Sequence, residues 1–343
     1  MSDLRKNPIA GNWVIVSQEQ ELGVKITPFP PFVTPKEGCP FCPGGDCEKG
    51  QVILSLPPVS ENGAKSAWGV LAVPNHFPVL NAREKLEREG LGMFDRMSGV
   101  GAHEIIIDSP THEHMLRDYS VDQCKLMLQA WKLRIADLYH DSRFRYVAIF
   151  RNQGRRAGAR ISHPHSQLIA SPMVPPAVRA DMQGAKQYFD FKERSVFLDI
   201  IDQEISEKVR VVERSEHFLA ICPFASRYPF EVWILPRFKS CHYQNVQEKE
   251  LADLAQVLLK ISKALSASLA DPDLNLVLKN APNPRSRPGM WQTLEDDYQW
   301  RIEIIPRISR RSGYEWASGM YVNPTAPEDA AEYLRKTLKK LKA

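Results

Sequence analysis

Cys39-Pro40-Phe41-Cys42 has the two-residue gap that lets a pair of thiolates grip one tetrahedral zinc ion from a tight turn. The same spacing can serve disulfide exchange, but that motif normally opens a helix after a strand. Here Pro43-Gly44-Gly45 follows, a poor helix start. Zinc is the expected occupant. Cys47 is near enough to compete as a ligand or to remain a free thiol. Two more ligands must come from elsewhere, and histidine is the usual partner of paired thiolates. His163 and His165 lie two apart, so alternation along a strand sends both, with Gln167, to one face. Three polar side chains ahead of the apolar Leu168 and Ile169 are costly in a core unless they serve a metal or ligand; the competing reading is a strand surface open to water. His103, His112 and His114 flank the end of another expected strand. His140, His217 and His242 stand apart from any cluster and read as ordinary surface or cap residues.

The elements that must position these groups come from 343 residues, enough for one large or two medium domains. A hydrophobic share of 43% and a charged share of 25% fit a globular protein and exclude a disordered or collagen-like chain. Forty-five Lys+Arg against 41 Asp+Glu leave +4, too balanced for a nucleic-acid binder. No apolar run approaches the ~18–20 residues of a membrane helix, and Met1 to Lys6 is charged where a signal peptide needs apolar residues. The expected setting is the cytoplasm, with no membrane and no nucleic acid as partner. Six cysteines on so long a chain make no disulfide scaffold; the isolated Cys124, Cys222 and Cys241 read as small buried hydrophobes.

A strand at Trp13–Val16 precedes an extended arm broken by Pro28, Pro30, Pro31 and Pro35. The remainder repeats one pattern twice. Copy one has a strand into Val73-Pro74-Asn75, a strand Glu104–Ile107 and a helix from Ser120, with Gln123 as capping-box partner and Cys124, Leu128, Trp131, Ile135 and Leu138 at helical spacing. A strand Tyr146–Phe150, a loop from Asn152 and a strand through His163–Ala170 complete it. Copy two has Ala220–Pro223, a strand Phe230–Leu235, a helix with Leu251, Leu254, Leu258, Ile261 and Leu265 on one face, and strands Leu274–Leu278 and Gln299–Ile305. Residues 182–212 connect the copies. A last helix has Thr325 and Glu328 as its capping box and turns Leu334, Leu338 and Leu341 inward. This predicts an α+β protein of two halves, 1–181 and 182–343, each an antiparallel-rich sheet with a covering helix, joined in one body.

His163-Pro164-His165-Ser166-Gln167 resembles the active-site signature of the galactose-1-phosphate uridylyltransferase family, the transferase branch of the histidine-triad superfamily. The likeness extends over nearly the whole chain: Asn7-Pro8 with Trp13, Cys39-Pro40-Phe41-Cys42-Pro43, Asn75 with Phe77-Pro78, Ser109-Pro110-Thr111-His112, Phe150 with Asn152-Gln153-Gly154, and Gly319 to Pro324. The duplication fits, because that family is built from two histidine-triad-like halves. The resemblance implies one structural zinc ion held by Cys39, Cys42, His112 and His163, closed to substrate because all four ligands are protein. It implies that His165 is the nucleophile of a ping-pong reaction through a covalent nucleotidyl-histidine. Gln167 would steady a phosphate oxygen without supplying a proton, favouring transfer over hydrolysis. Asn75 and Asn152 match nucleotide- or phosphate-contacting positions, as do Gly319, Tyr321 and Asn323 in the C-terminal motif; His103 and His114 are left as ordinary polar residues.

Two departures shape the substrate expectation. Where the family usually carries phosphate-binding arginines after the first strand, this chain has Ser17-Gln18-Glu19-Gln20-Glu21, which leaves Arg155, Arg156 and Arg160 as candidate replacements or as a solvated basic loop. In the second half, Gln299-Trp300-Arg301-Ile302-Glu303 stands where many members have H-x-H, so no second metal site is expected. The function expected first is UDP-glucose:hexose-1-phosphate uridylyltransferase in galactose metabolism. The alternative is an adenylyltransferase or phosphorylase moving AMP from ADP-glucose or adenylyl sulfate to phosphate; a further one is a non-catalytic zinc-stabilised nucleotide-binding protein. The implied partners are a nucleotide-sugar or related donor, a phosphate acceptor and a second copy of the chain as homodimer.

Overall fold

In the computed structural model, which describes residues 2–17, 32–59, 66–286 and 292–342, two short strands come first, a polar one and one that buries alternate valines. They are β1 (Ser2–Lys6) and β2 (Trp13–Ser17), which pair antiparallel; β15 (Tyr321–Asn323) joins β2 in parallel to close a three-stranded sheet. The run Gln18 to Glu21 and the prolines at 28, 30 and 31 lie outside the described residues.

Ten further strands form one antiparallel sheet. From one edge to the middle come β3 (Leu54–Leu56), β4 (Val70–Pro74), β7 (Ala102–Ile107), β9 (His165–Ser171) and β8 (Tyr146–Gln153). From the other edge come β10 (Val211–Arg214), β11 (Phe218–Ile221), β12 (Val232–Pro236), β14 (Arg301–Pro306) and β13 (Leu274–Lys279). The two runs have the same strand succession, and the duplication read from the sequence is visible as this mirrored order. β8 and β13 pair at the centre, Asn152 opposite Asn275, so the halves share one continuous sheet. A separate hairpin, β5 (Arg88–Leu91) and β6 (Phe94–Met97), stands off it.

One face of the sheet is covered by α2 (Val121–Leu138), α5 (Glu248–Leu269) and α8 (Pro327–Lys342), which bury the main core with Ala72, Ile106, Leu168, Ala220, Ile234 and Ile302. Ser120 caps α2 as expected, its hydroxyl accepting the Gln123 N–H at 3.1 Å. The Gln123 side chain instead donates to the Gly69 and Asp108 carbonyls, tying α2 to β4 and β7. Cys124, Leu128, Trp131, Ile135 and Leu138 are buried, as are Cys222 and Cys241. Leu334 and Leu338 of α8 face inward, whereas Leu341 is exposed, because the last turn runs past the edge of the core.

The opposite face differs between the halves. Over the second half lie α3 (Pro176–Lys192) and α4 (Val196–Glu207), which bury Val178, Met182, Phe197 and Ile201 against Leu219, Ile221, Trp233 and Leu235. The residue 181/182 division falls inside α3. Over the first half, Leu71, Val73, Ile105 and Ile107 cluster with Trp68, just before β4, and with Cys39 and Phe41 from the segment before α1 (Asp46–Lys49), with Cys42, Cys47 and Ile161 packed against them. Two short helices, α6 (Leu294–Asp297) and α7 (Gly313–Ser318), complete the structure.

Candidate active site and metal centre

The thinly covered face of the first half is where the chemistry-bearing residues meet. Cys39 and Cys42 come from the tight turn before α1, His112 from the segment after β7, and His163 from the bend just before β9. Their ligand atoms lie within 4.8 Å of one another. Cys42 Sγ is 3.3 Å from His112 Nδ1 and 3.5 Å from His163 Nδ1; Cys39 Sγ is 3.7 Å from His163 Nδ1, and the two imidazole Nδ1 atoms are 3.3 Å apart. The edges of a tetrahedron with zinc–ligand bonds of 2.0–2.3 Å are about 3.3–3.8 Å, so the cluster has room for one such ion at its centre. Both histidines are oriented for it: His163 Nε2 donates to the Ser109 carbonyl and His112 Nε2 to the Thr34 carbonyl, each at 2.8 Å, leaving both Nδ1 lone pairs pointing inward. Burial lowers the His163 pKa to about 4, keeping that lone pair free, and burial with the neighbouring Cys39 raises the Cys42 thiol to about 11. A thiol as hard to ionise as Cys42 becomes a good ligand beside a cation, so this Cys2His2 set fits a bound metal. Cys47 is not among the four.

Strand alternation was expected to start at His163. The structure starts β9 at His165, and this difference separates the two histidines by role. His163 turns into the metal cluster. His165 begins the strand on the open face together with Gln167, while Ser166 and Leu168 point to the helical side. His165 Nδ1 donates to the His163 carbonyl at 2.8 Å, so Nε2 carries the lone pair, and burial lowers its pKa to about 4. The result is a neutral imidazole with a fixed tautomer. The Phe41 ring, from between the two cysteines, packs 5.0 Å from the His165 ring.

Beneath His165 lies a pair that sequence reasoning missed. Arg151 of β8 is fully buried and ion-paired with Asp108, whose carboxylate also accepts the Ser166 hydroxyl at 2.9 Å; the Tyr119 hydroxyl lies 3.1 Å from the same guanidinium. His103, left as an ordinary polar residue, also has a place: its Nε2 is 2.9 Å from Asn75 Nδ2 and 3.1 Å from Gln167 Oε1, linking both to one point on the open face. The signal for both lies in register, since His103 faces Ile169 across β7–β9 and Arg151 faces Ser166 across β8–β9.

Two cavities flank this centre. One, of about 480 Å³, is polar: His165, Arg151, Asn152, His114, Arg117 and Asp273 line it. The other, of about 650 Å³, is apolar: Phe41, Val73, Phe77 and Ile105 line it beside Asn75. Asn152 accepts from Asn275 Nδ2 at 2.8 Å. Gly154 shapes the loop before His163: its φ is +88°, and a Cβ there would fall 1.8 Å from Asp273 Oδ1. Arg155, Arg156 and Arg160 are exposed beside the polar cavity, and the Arg155 guanidinium sits 5.0 Å over Phe32, which lines it.

The C-terminal motif goes elsewhere. Gly319 ends α7 in the left-handed conformation, and Tyr321 packs on Tyr228 and hydrogen-bonds Arg311. Asn323 is fully buried, donating to the Ser226 and Tyr228 carbonyls and accepting the Thr325 N–H. None of the three lines either cavity, and both N–H groups of the Asn323 amide are taken up inside the fold.

A ten-stranded antiparallel sheet that carries a metal-ligand cluster and a neutral imidazole beside two cavities suits a group-transfer enzyme. The family model "Galactose-1-phosphate uridyl transferase, N-terminal domain" matches residues 1–175, and one described as a domain of unknown function (DUF4921) matches 118–343. The chain belongs to the galactose-1-phosphate uridylyltransferase family and is a nucleotidyltransferase. It is 31% identical to ADP-glucose phosphorylase of Arabidopsis thaliana over 97% of this chain and 92% of that one. It is 26% identical to galactose-1-phosphate uridylyltransferase of Thermotoga maritima over 98% and 99%. Among solved structures, the A. thaliana ADP-glucose phosphorylase with bound ADP-glucose superposes with a TM-score of 0.80 at 29% identity, covering 98% of each chain.

Proposed function

We propose that the protein transfers a nucleotidyl group through a covalent intermediate on His165, and that its donor is ADP-glucose. The observation that carries the first part is the fixed tautomer of His165, which aims a neutral Nε2 at the open face between an apolar and a polar cavity. The apolar cavity suits the base and ribose; the polar one suits the phosphates. Nε2 attacks the α-phosphorus, the Nε2–P bond forms, and the bond to the bridging oxygen breaks as glucose 1-phosphate leaves. Inorganic phosphate then attacks the same phosphorus and frees His165, giving ADP. Two displacements replace one, with ping-pong kinetics. Gln167 and Asn75, both beside His103, steady a non-bridging oxygen.

Zinc, as a closed four-ligand site, would supply stability and position. The ligating residue His163 is also the one whose carbonyl holds His165, so anchoring its ring anchors the nucleophile. ADP-glucose is supported by the 31% identity to a phosphorylase of that substrate and by the absence of arginines from Gln18 to Glu21. UDP-glucose with a hexose 1-phosphate acceptor, the function expected first from sequence, is the second reading, supported by the end-to-end match to the T. maritima enzyme. In a homodimer, Gly319 and Tyr321 would be available to a partner's site. Incubating the protein separately with labelled ADP-glucose, UDP-glucose and adenylyl sulfate tests the donor. ADP-glucose should label it; labelling by UDP-glucose alone would replace this reading with the second.

A further inference from the structure

The apolar cavity beside Asn75 opens where β4 runs out, on the face turned away from α2. The strand in the matching place of the second half is β11, again second from its edge, and a cavity of about 550 Å³ opens there at Ile221 and Pro223. Its floor is Ile221 and Trp233, and its walls include Val196 and Ile200 of α4 and the ring of Phe224. Its lining has no histidine, so it holds no counterpart of His165.

Of the three carboxylates in its lining, Asp199, Glu204 and Glu207, only Glu204 is buried. Glu204 of α4 is 3% exposed; its Oε1 accepts from Arg210 Nε at 2.8 Å, and its Oε2 has no hydrogen-bond partner among the described residues. A buried acceptor left without a donor is costly, and a ligand that brings the donor recovers that cost. The nearby guanidinium is spent: besides Glu204, Arg210 binds Glu207 at 2.9 Å and Glu328 at 3.1 Å. With Asp199, Glu204 and Glu207 set against Lys6 and an Arg210 already held by carboxylates, the lining does not favour a phosphate.

We propose that this cavity is a second, non-catalytic ligand site for a flat aromatic ring carrying an amine or amidine. The ring would lie against Trp233 and Phe224, and its N–H groups would meet the Glu204 oxygen. The mirrored sheet thus keeps a ring-binding cavity in both halves and the reacting groups in one.

Saturation-transfer NMR on the full chain with benzamidine, and with benzoate as the charge-reversed control, tests this. Benzamidine should receive saturation and benzoate none. Glu204→Gln, which keeps the shape and removes the charge, should weaken benzamidine binding at least about tenfold. Ile200→Trp, which fills the cavity, should abolish it. Equal response to benzoate, unchanged binding in Ile200→Trp, or no binding at all would overturn the proposal. If Ile200→Trp does not fold, a crystal of the unaltered protein soaked in benzamidine decides: density between Trp233 and Glu204 supports the site, and density elsewhere or none refutes it.

Discussion

The two halves lay five strands in the same succession and cover one face with equivalent helices, yet they treat the polar residues of the other face in opposite ways. β9 opens with His165, two residues after His163, and its surroundings are a metal-ligand cluster and two cavities. β14 opens with Arg301, and its surroundings are closed by α3 and by charge. Arg301 is 2.7 Å from Asp181 and from Glu303, stacks 4.6 Å over Trp233, and Glu303 also receives Arg227 at 2.7 Å. Burial pushes the Glu303 carboxyl upward, but Arg227 and Arg301 hold it below the ordinary range. Polar groups on a buried strand must be balanced. One half meets that need with ligands around a space for an ion, the other with an ion-pair network that leaves no such space. Only the first arrangement leaves an imidazole free to react.

Breaking each arrangement separately sharpens this contrast. The largest effect is expected from the metal centre. His163→Ala, or chelation of the parent, should release the metal and sharply lower the melting temperature, since structural zinc contributes up to about 10–16 kcal/mol in small domains. Hydrogen exchange should rise in β4, β7 and β9 and stay unchanged in β11 and β12. Full metal occupancy and an unchanged melting temperature in the variant would remove His163 from the ligand set.

A smaller loss follows from the second half. Arg301→Ala leaves Asp181 and Glu303 as buried, underpaired carboxylates, at a cost of roughly 3–5 kcal/mol. Urea titration should show this while metal content and turnover per folded molecule stay at the parent level; metal loss in this variant would mean the halves are not independent. The smallest effect concerns the loop beside the polar cavity. Replacing Arg155 and Arg156 together by Ala removes charged contacts of about 1.5–3 kcal/mol each, and should slow transfer to the acceptor more than formation of the intermediate. Rapid-quench measurement of both half-reactions separates the two, and equal decay in variant and parent would make the loop a solvated surface only.

How much of this could be read in advance follows the range of each signal. The cysteine pair, His112 behind Ser109-Pro110 and the two histidines two residues apart are local patterns, and the fold brings them together. The faces of α2 and α5 were visible as helical spacing. His103 and the Asp108–Arg151 pair depend on which strands pair and in what register, which no local pattern carries. The segment 182–212 reads in the sequence as a connection, although Val178, Met182 and Ala185 recur at helical spacing. Its charged and glycine-containing character masked that period, and α3 runs through the place where the halves were expected to divide. Asn323 matches a motif by type, and only the structure shows its amide N–H groups bonded to the Ser226 and Tyr228 carbonyls.

The central claim is that His165 carries the nucleotidyl group. The direct measurement is to mix the parent with nucleotide-labelled ADP-glucose, or with UDP-glucose, without acceptor, quench in base and map the modified residue by mass spectrometry. The account predicts one nucleotide on His165, released on addition of phosphate or hexose 1-phosphate. It also predicts that His165→Ala stays folded with its metal bound, takes up no label and loses turnover by at least about 10³-fold. Label on another residue, or turnover at the parent rate by His165→Ala, would contradict it.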